Sequence, residues 1–160
     1  MNLQIWQESG QSEIELHEDD PLVMTALFRY VYNCSYHDLW EGTNSTLQFL
    51  AKVYAAGEKY LIKGLGANVA MHMDSYIWHD AYFYFSHPLD PDTKDLLEAV
   101  QIIMAGTLSN DVVGRRVVVR FCAAYIYELR PMPEFVNLLK EYPELGASIL
   151  QVPNLDLMLQ

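Results

Sequence analysis

Cysteine is scarce: Cys34 and Cys122 are isolated thiols in 160 residues, with no CxxC spacing for redox or metal chemistry. The opening Met-Asn-Leu-Gln-Ile-Trp-Gln-Glu has neither a basic flank nor a long apolar region. Together these point to a reducing intracellular compartment, cytoplasmic and/or nuclear. The sequons at Asn33 and Asn44 would matter only after secretion. Positive charge is also in deficit, with 10 Lys and Arg against 21 Asp and Glu and a net charge of −11. The deficit is spread along the chain, with three basic and nine acidic residues up to Ile62 and seven basic and twelve acidic after it. Such a surface repels phosphate backbones and disfavours nucleic-acid partners. No long hydrophobic run is present either. The strongly apolar stretch around Val117–Tyr127 is interrupted by Arg120 and falls short of the roughly 18 residues a membrane-spanning helix needs. A Walker sequence, glycine-rich phosphate loops, internal repeats and low-complexity linkers are absent as well.

What is present is apolar: 51% hydrophobic residues, enough for one domain, or for a small one with a helical extension, around a sizeable core. Glu13-Ile-Glu-Leu16 alternates as a short strand would. Asp20 and Pro21 then supply an N-cap and a first-turn proline for a helix to about Tyr32. Its apolar set is Val23, Leu27, Tyr30 and Val31, with Met24 and Phe28 beside it.

A second helix is expected from about Ser45 to Ile62, with Gly64 as its left-handed terminator. Its polar residues Gln48, Lys52, Lys59 and Lys63 form one thin stripe, and apolar residues fill nearly everything else from Leu47 to Leu61. A helix apolar nearly all round must be surrounded. Gly57 in its interior suggests a close helix crossing. Further helices are expected over Leu65 to about Tyr76, from Asp90-Pro91 to Gly106 with Leu96, Leu97, Val100, Ile103 and Met104 at 3–4 spacing, and over Asp111–Leu129 behind a Ser109 cap. Two short ones follow, Glu134–Tyr142 and Glu144–Gln151.

Two segments carry a family likeness. They are Glu13-Ile-Glu-Leu-His-Glu-Asp-Asp-Pro21 and Val53-Tyr-Ala-Ala-Gly-Glu-Lys-Tyr-Leu-Ile-Lys-Gly-Leu65. A strand, an acidic proline-containing cap, an aromatic-rich helix ending Tyr30-Val-Tyr32, a short loop with Tyr36, and a helix ending in the second segment follow one another in an order that resembles the second half of a BTB/POZ domain of the fungal type. Trp6-Gln7-Glu8 matches the hydrophobic-x-Glu signature that precedes this strand in members that bind cullin scaffolds. The resemblance covers about residues 5–66, and the remainder looks like the helical extensions that follow such domains. Two departures are His17 and Gly57, which stand where Pro and Ala are more usual. A third is the strand–helix–strand region before Trp6, with much of the family's dimer interface, which has no counterpart here.

The resemblance implies a mainly α chain with a partial BTB/POZ-like α+β region at residues 1–66, one short strand near 13–16, and an all-α extension at 67–160 packed on it. It implies a non-enzymatic protein–protein interaction role, as a truncated remnant of a cullin-linked ubiquitin-ligase substrate adaptor. Trp6, Glu8 and Tyr32 would be the partner-binding residues, and cullin or another BTB-containing chain the partner, with no cofactor, catalytic residue or metal. The missing neighbours of residues 47–61 further suggest self-association or a need for a partner chain, unless the C-terminal helices substitute for them.

Other residues invite other chemistry. Cys34, His37 and Asp38 have the residue types of a nucleophile, base and orienting acid, but lie too close in sequence for ordinary triad geometry. His72, His79, Asp80 and His87, with Met71 and Met73, lack compact metal-ligand spacing. Tyr76, Trp78, Tyr82, Phe83, Tyr84 and Phe85 suit a core better than a stacking surface. Arg115, Arg116 and Arg120 suit internal ion pairs better than phosphate. The tail Leu155-Asp-Leu-Met-Leu159 could dock as an apolar peptide or return to the core. The competing readings are a small helical enzyme or ligand-binding protein, and a gene-model fragment without independent function.

Overall fold

The computed structural model describes residues 19–39, 46–84, 91–108 and 110–152. Among them the chain is mainly helical and contains no β-strand. The strand expected near 13–16, the Ser109 cap, and Trp6 and Glu8 lie outside this set.

Helix α1 (Pro21–Val31) starts as its sequence requires: Asp20 is extended, and its Oδ1 accepts the Leu22 N–H at 2.9 Å. Val23, Ala26 and Leu27 form its buried stripe. Val31, expected in that stripe, is 55% exposed. The reason is that α1 takes its main packing from a single neighbour, α2 (Thr46–Lys59), and a helix covered from one side buries one stripe.

Both helices end in the same two-bond motif. After α1, Cys34 N–H donates to Arg29 O at 2.7 Å and Asn33 N–H to Tyr30 O at 3.0 Å, with Asn33 left-handed at φ 56°. After α2, Ile62 N–H donates to Gly57 O at 2.9 Å and Leu61 N–H to Glu58 O at 3.2 Å, with Leu61 at φ 55°. The left-handed terminator of α2 is thus Leu61, not Gly64. Gly64 follows at φ 83° and turns the chain into α3 (Leu65–Tyr84). α3 passes its expected end at Tyr76, since neither glycine nor proline interrupts residues 67–84.

α2 is the interior element. It packs most extensively on α4 (Pro91–Gly106), then on α3, then on α1. Leu47, Phe49, Leu50, Ala51, Val53, Tyr54 and Gly57 are all buried. Its approach to its neighbours is set by small residues. A Cβ on Gly57 would lie 3.1 Å from Leu65 Cδ2, which bears out the close crossing. A Cβ on Gly106 would lie 2.7 Å from the Cβ of Ala55, and one on Gly114 would lie 2.6 Å from the Tyr54 ring. The open N-terminus of α2 is capped from outside: the buried Asp95 of α4 accepts Leu47 N–H at 3.1 Å and Gln48 N–H at 3.2 Å. Gln48, assigned to the polar stripe, hydrogen-bonds Glu98 of α4. The neighbours that the apolar residues from Leu47 to Gly57 require are therefore supplied by α1, α3 and α4, while Leu61 at the end of the run is 86% exposed.

The single helix expected over Asp111–Leu129 is two, α5 (Val113–Ala124) and α6 (Ile126–Leu129), broken at Tyr125 with φ −112° and ψ 29°. The break brings Leu129 into the core and leaves Tyr127 outside. Val117, Val118 and Val119 are helical despite their β-branching, as the length of the run predicts. α7 (Pro133–Glu141) and α8 (Pro143–Leu150) each begin at a proline. One hydrophobic cluster links α1 through α8 and draws on both sides of residue 66.

Candidate functional site

Three places concentrate exposed or reactive groups. The first is the outward face of α1. Phe28 and Val31 are each 55% exposed, and Tyr32 at the helix end is 77% exposed. At spacings of 3 and 4 the three share one side, with half-buried Met24 one turn before Phe28. Tyr32 was singled out from sequence. Their apolar character alone places Phe28 and Val31 in or beside the core, whereas the 3–4 spacing of Val23, Ala26, Leu27 and Tyr30 marks the opposite face as buried.

The second is the loop after α1. A depression of about 350 Å3 is lined by Tyr30, Cys34, Tyr36, His37 and Asn68, among others. Tyr36 is buried, and its hydroxyl donates to Asn68 Oδ1 of α3. Burial first and then the neighbouring Tyr30 push its phenol up to about 12, so it remains a neutral donor. His37 stacks on Tyr36 at 5.5 Å and meets His72 of α3 edge-on at 4.4 Å. Burial, and then His37, hold the His72 imidazole below its ordinary value.

Cys34 and His37 share this depression, but the nucleophile–base–acid reading lacks its last member. Asp38 chelates Arg29 Nη1 at 2.7 and 2.8 Å, and that guanidinium holds the Asp38 carboxyl below its usual range. Cys34 Sγ donates to its own turn, to Tyr32 O at 3.7 Å.

For metal chemistry, Met71 is exposed while Met73 is buried, so the two do not converge, and no group of three His, Cys, Asp or Glu capable of holding a metal occurs among the described residues. The side chains of His79, Asp80 and His87, and those of the aromatic run beyond Tyr76, lie outside the described set.

The third place joins α4, α5 and α8. Arg115 Nη2 donates to Met104 O and Thr107 O at 3.1 Å each, serving the open carbonyls at the end of α4, and its Nη1 reaches Glu144 Oε1 at 3.5 Å. Arg120 pairs with Asp74 of α3 at 3.1 Å. Two of the three arginines thus act internally, and Arg116 is exposed. Tyr54, which no sequence motif marks, donates its hydroxyl to Asp111 Oδ1 at 2.9 Å and accepts Gly114 N–H at 2.8 Å. Burial and the Asp111 carboxylate raise its phenol well above the ordinary value. No protein-family model, curated protein or solved structure matches the chain. No helix among the described residues is long and apolar enough to cross a membrane.

Proposed function

We propose that the chain is a protein–protein interaction module whose docking surface is the outward side of α1. The observation that carries this reading is the exposed trio Phe28, Val31 and Tyr32 on a helix whose other side is fixed to α2. Side chains held on a rigid helix lose little entropy when a partner covers them, and aromatic residues such as Phe28 and Tyr32 are enriched at interface centres. A surface of net charge −11 favours a partner whose contact rim is basic.

The BTB/POZ-like order of segments supports the same reading and narrows it. It makes a cullin scaffold, or another BTB-containing chain, the first partner to try, with Trp6, Glu8 and Tyr32 as contact residues. The test is a pull-down on an immobilised cullin scaffold, with alanine at Trp6 and Glu8 in one variant and at Tyr32 in another. Retention should fall by roughly tenfold or more. Unchanged retention in both variants removes these residues as contacts. Self-association is the same surface meeting its own copy, and a monomeric scattering mass at high concentration with a cooperative melt excludes it.

A further inference from the structure

The connection from α4 to α5 carries a second exposed apolar patch. Leu108 is 77% and Val112 70% exposed, with Val113 half exposed beside them. Asp111 N–H donates to Leu108 O at 2.9 Å, a turn that holds Leu108 next to the start of α5. Val112 O accepts the Arg116 N–H at 3.2 Å, so the first turn of α5 sets Arg116 four residues on from Val112 and three from Val113, with Val119 further along the same side. A depression of about 280 Å3 lies alongside, between α5 and α8. Val112, Arg116 and Val119 form one wall and Glu144 and Ser148 the other, over the buried Met104 and Leu145.

Four charged groups among the described residues line this depression, and the chain itself uses three of them. Arg115 serves the carbonyls of Met104 and Thr107, and its Nη1 faces Glu144 at 3.5 Å. Asp111 accepts the Tyr54 hydroxyl and, at 3.0 Å, the Val113 N–H through Oδ1, and its Oδ2 is shielded from solvent. Arg116 is exposed and forms no ion pair among the described residues. The groove therefore offers one positive charge set among exposed aliphatic side chains. A carboxylate complements that charge, and a guanidinium can hold it through two hydrogen bonds. Leu108 and Val113 lie beyond the lining of the depression, so the apolar surface extends past what a small free acid can cover and suits a protein segment.

We propose that this groove docks a partner protein through an acidic residue with an aliphatic residue on either side, the carboxylate on Arg116 and the aliphatic side chains against Val112, Val113 and Val119. The site shares no residue with the outward side of α1 and takes a partner of the opposite charge, so it stands or falls independently of the first interaction surface.

The experiment is a titration of the full chain with the peptide acetyl-Gly-Leu-Asp-Leu-Gly-amide, followed through the methyl NMR signals of Leu108, Val112, Val113 and Val119. These signals should shift saturably with a Kd below about 1 mM. The same peptide with Asn in place of Asp should bind about tenfold more weakly. Arg116→Gln should bring the Asp peptide down to the level of the Asn peptide and leave the latter unchanged, whereas Val112→Ser should weaken both. Both positions are exposed, so neither substitution disturbs the fold. Absence of saturation at about 10 mM peptide, or equal affinity for the two peptides, would overturn the proposal. So would 4-methylpentanoate binding as tightly as the Asp peptide, which assigns the groove to a free acid, or peptide binding that emerges only with Leu157→Ser, which assigns it to the chain's own Leu155-Asp-Leu-Met-Leu159.

Discussion

α1 and α2 are both rich in large apolar side chains, yet they stand in opposite situations. α2 is enclosed by α1, α3 and α4, with Gly114 of α5 pressed on Tyr54, and its buried side chains find their neighbours within the chain. α1 is covered on one side and presents Phe28, Val31 and Tyr32 to solvent. The helix whose sequence is apolar nearly all round is covered on three sides by helices of its own chain. The helix that looked self-sufficient is the one with apolar surface to spare.

Substitutions can press on this contrast. Tyr54→Ala empties the middle of α2's enclosure and removes the donor to Asp111, so a loss of about 4 kcal/mol in denaturant unfolding is expected. A loss below about 1 kcal/mol would mean that α2 is far less enclosed than described. Gly114→Ala places a methyl 2.6 Å from a ring that is both buried and pinned through its hydroxyl. About 2 kcal/mol should be lost, read as a lower denaturant midpoint at unchanged slope.

The two helix ends sharpen the comparison from another side. Asn33 and Leu61 occupy equivalent left-handed positions, but asparagine tolerates that backbone and leucine does not. Leu61→Gly should therefore stabilise by about 1 kcal/mol, while Asn33→Gly should change little. No gain from Leu61→Gly would show that Leu61 carries no strain.

A pH dependence is expected where the loop after α1 leans on α3. The folded His72 holds its proton less tightly than its ordinary pKa of 6.5, because of burial and then His37. The unfolded chain therefore takes up the proton first as the pH falls. Stability should be full above about 6.5 and decline as the pH drops toward the lowered value, and His72→Gln should flatten that slope. The smallest effect belongs to the outward face: Phe28→Ser should move stability by no more than about 0.5 kcal/mol while weakening partner retention.

Legibility followed the range of the interaction responsible. α1 begins where Asp20 and Pro21 say it does, because a cap is chemistry between residues two apart in sequence. The apolar spacing of α4 reports its buried side correctly for the same reason, and Gly57 marked a close crossing with a helix that starts only eight residues later at Leu65. The break at Tyr125 has no glycine or proline to announce it. The cap that Asp95 lends to α2, and the seat that Gly106 and Gly114 form for Ala55 and Tyr54, join residues roughly fifty to sixty apart in the chain. Periodicity within one helix says which side is apolar, but not how many neighbours will arrive to cover it.

The two thiols turn the contrast between surface and interior into a measuring device. Cys34 is exposed two residues beyond Tyr32, whereas Cys122 is fully enclosed and burial pushes its thiol up to about 12. A thiol-selective reagent should therefore modify Cys34 on mixing and reach Cys122 only when the core opens. The unaltered chain carries two clocks, one slowed by whatever covers the end of α1 and the other timing the opening of the whole molecule.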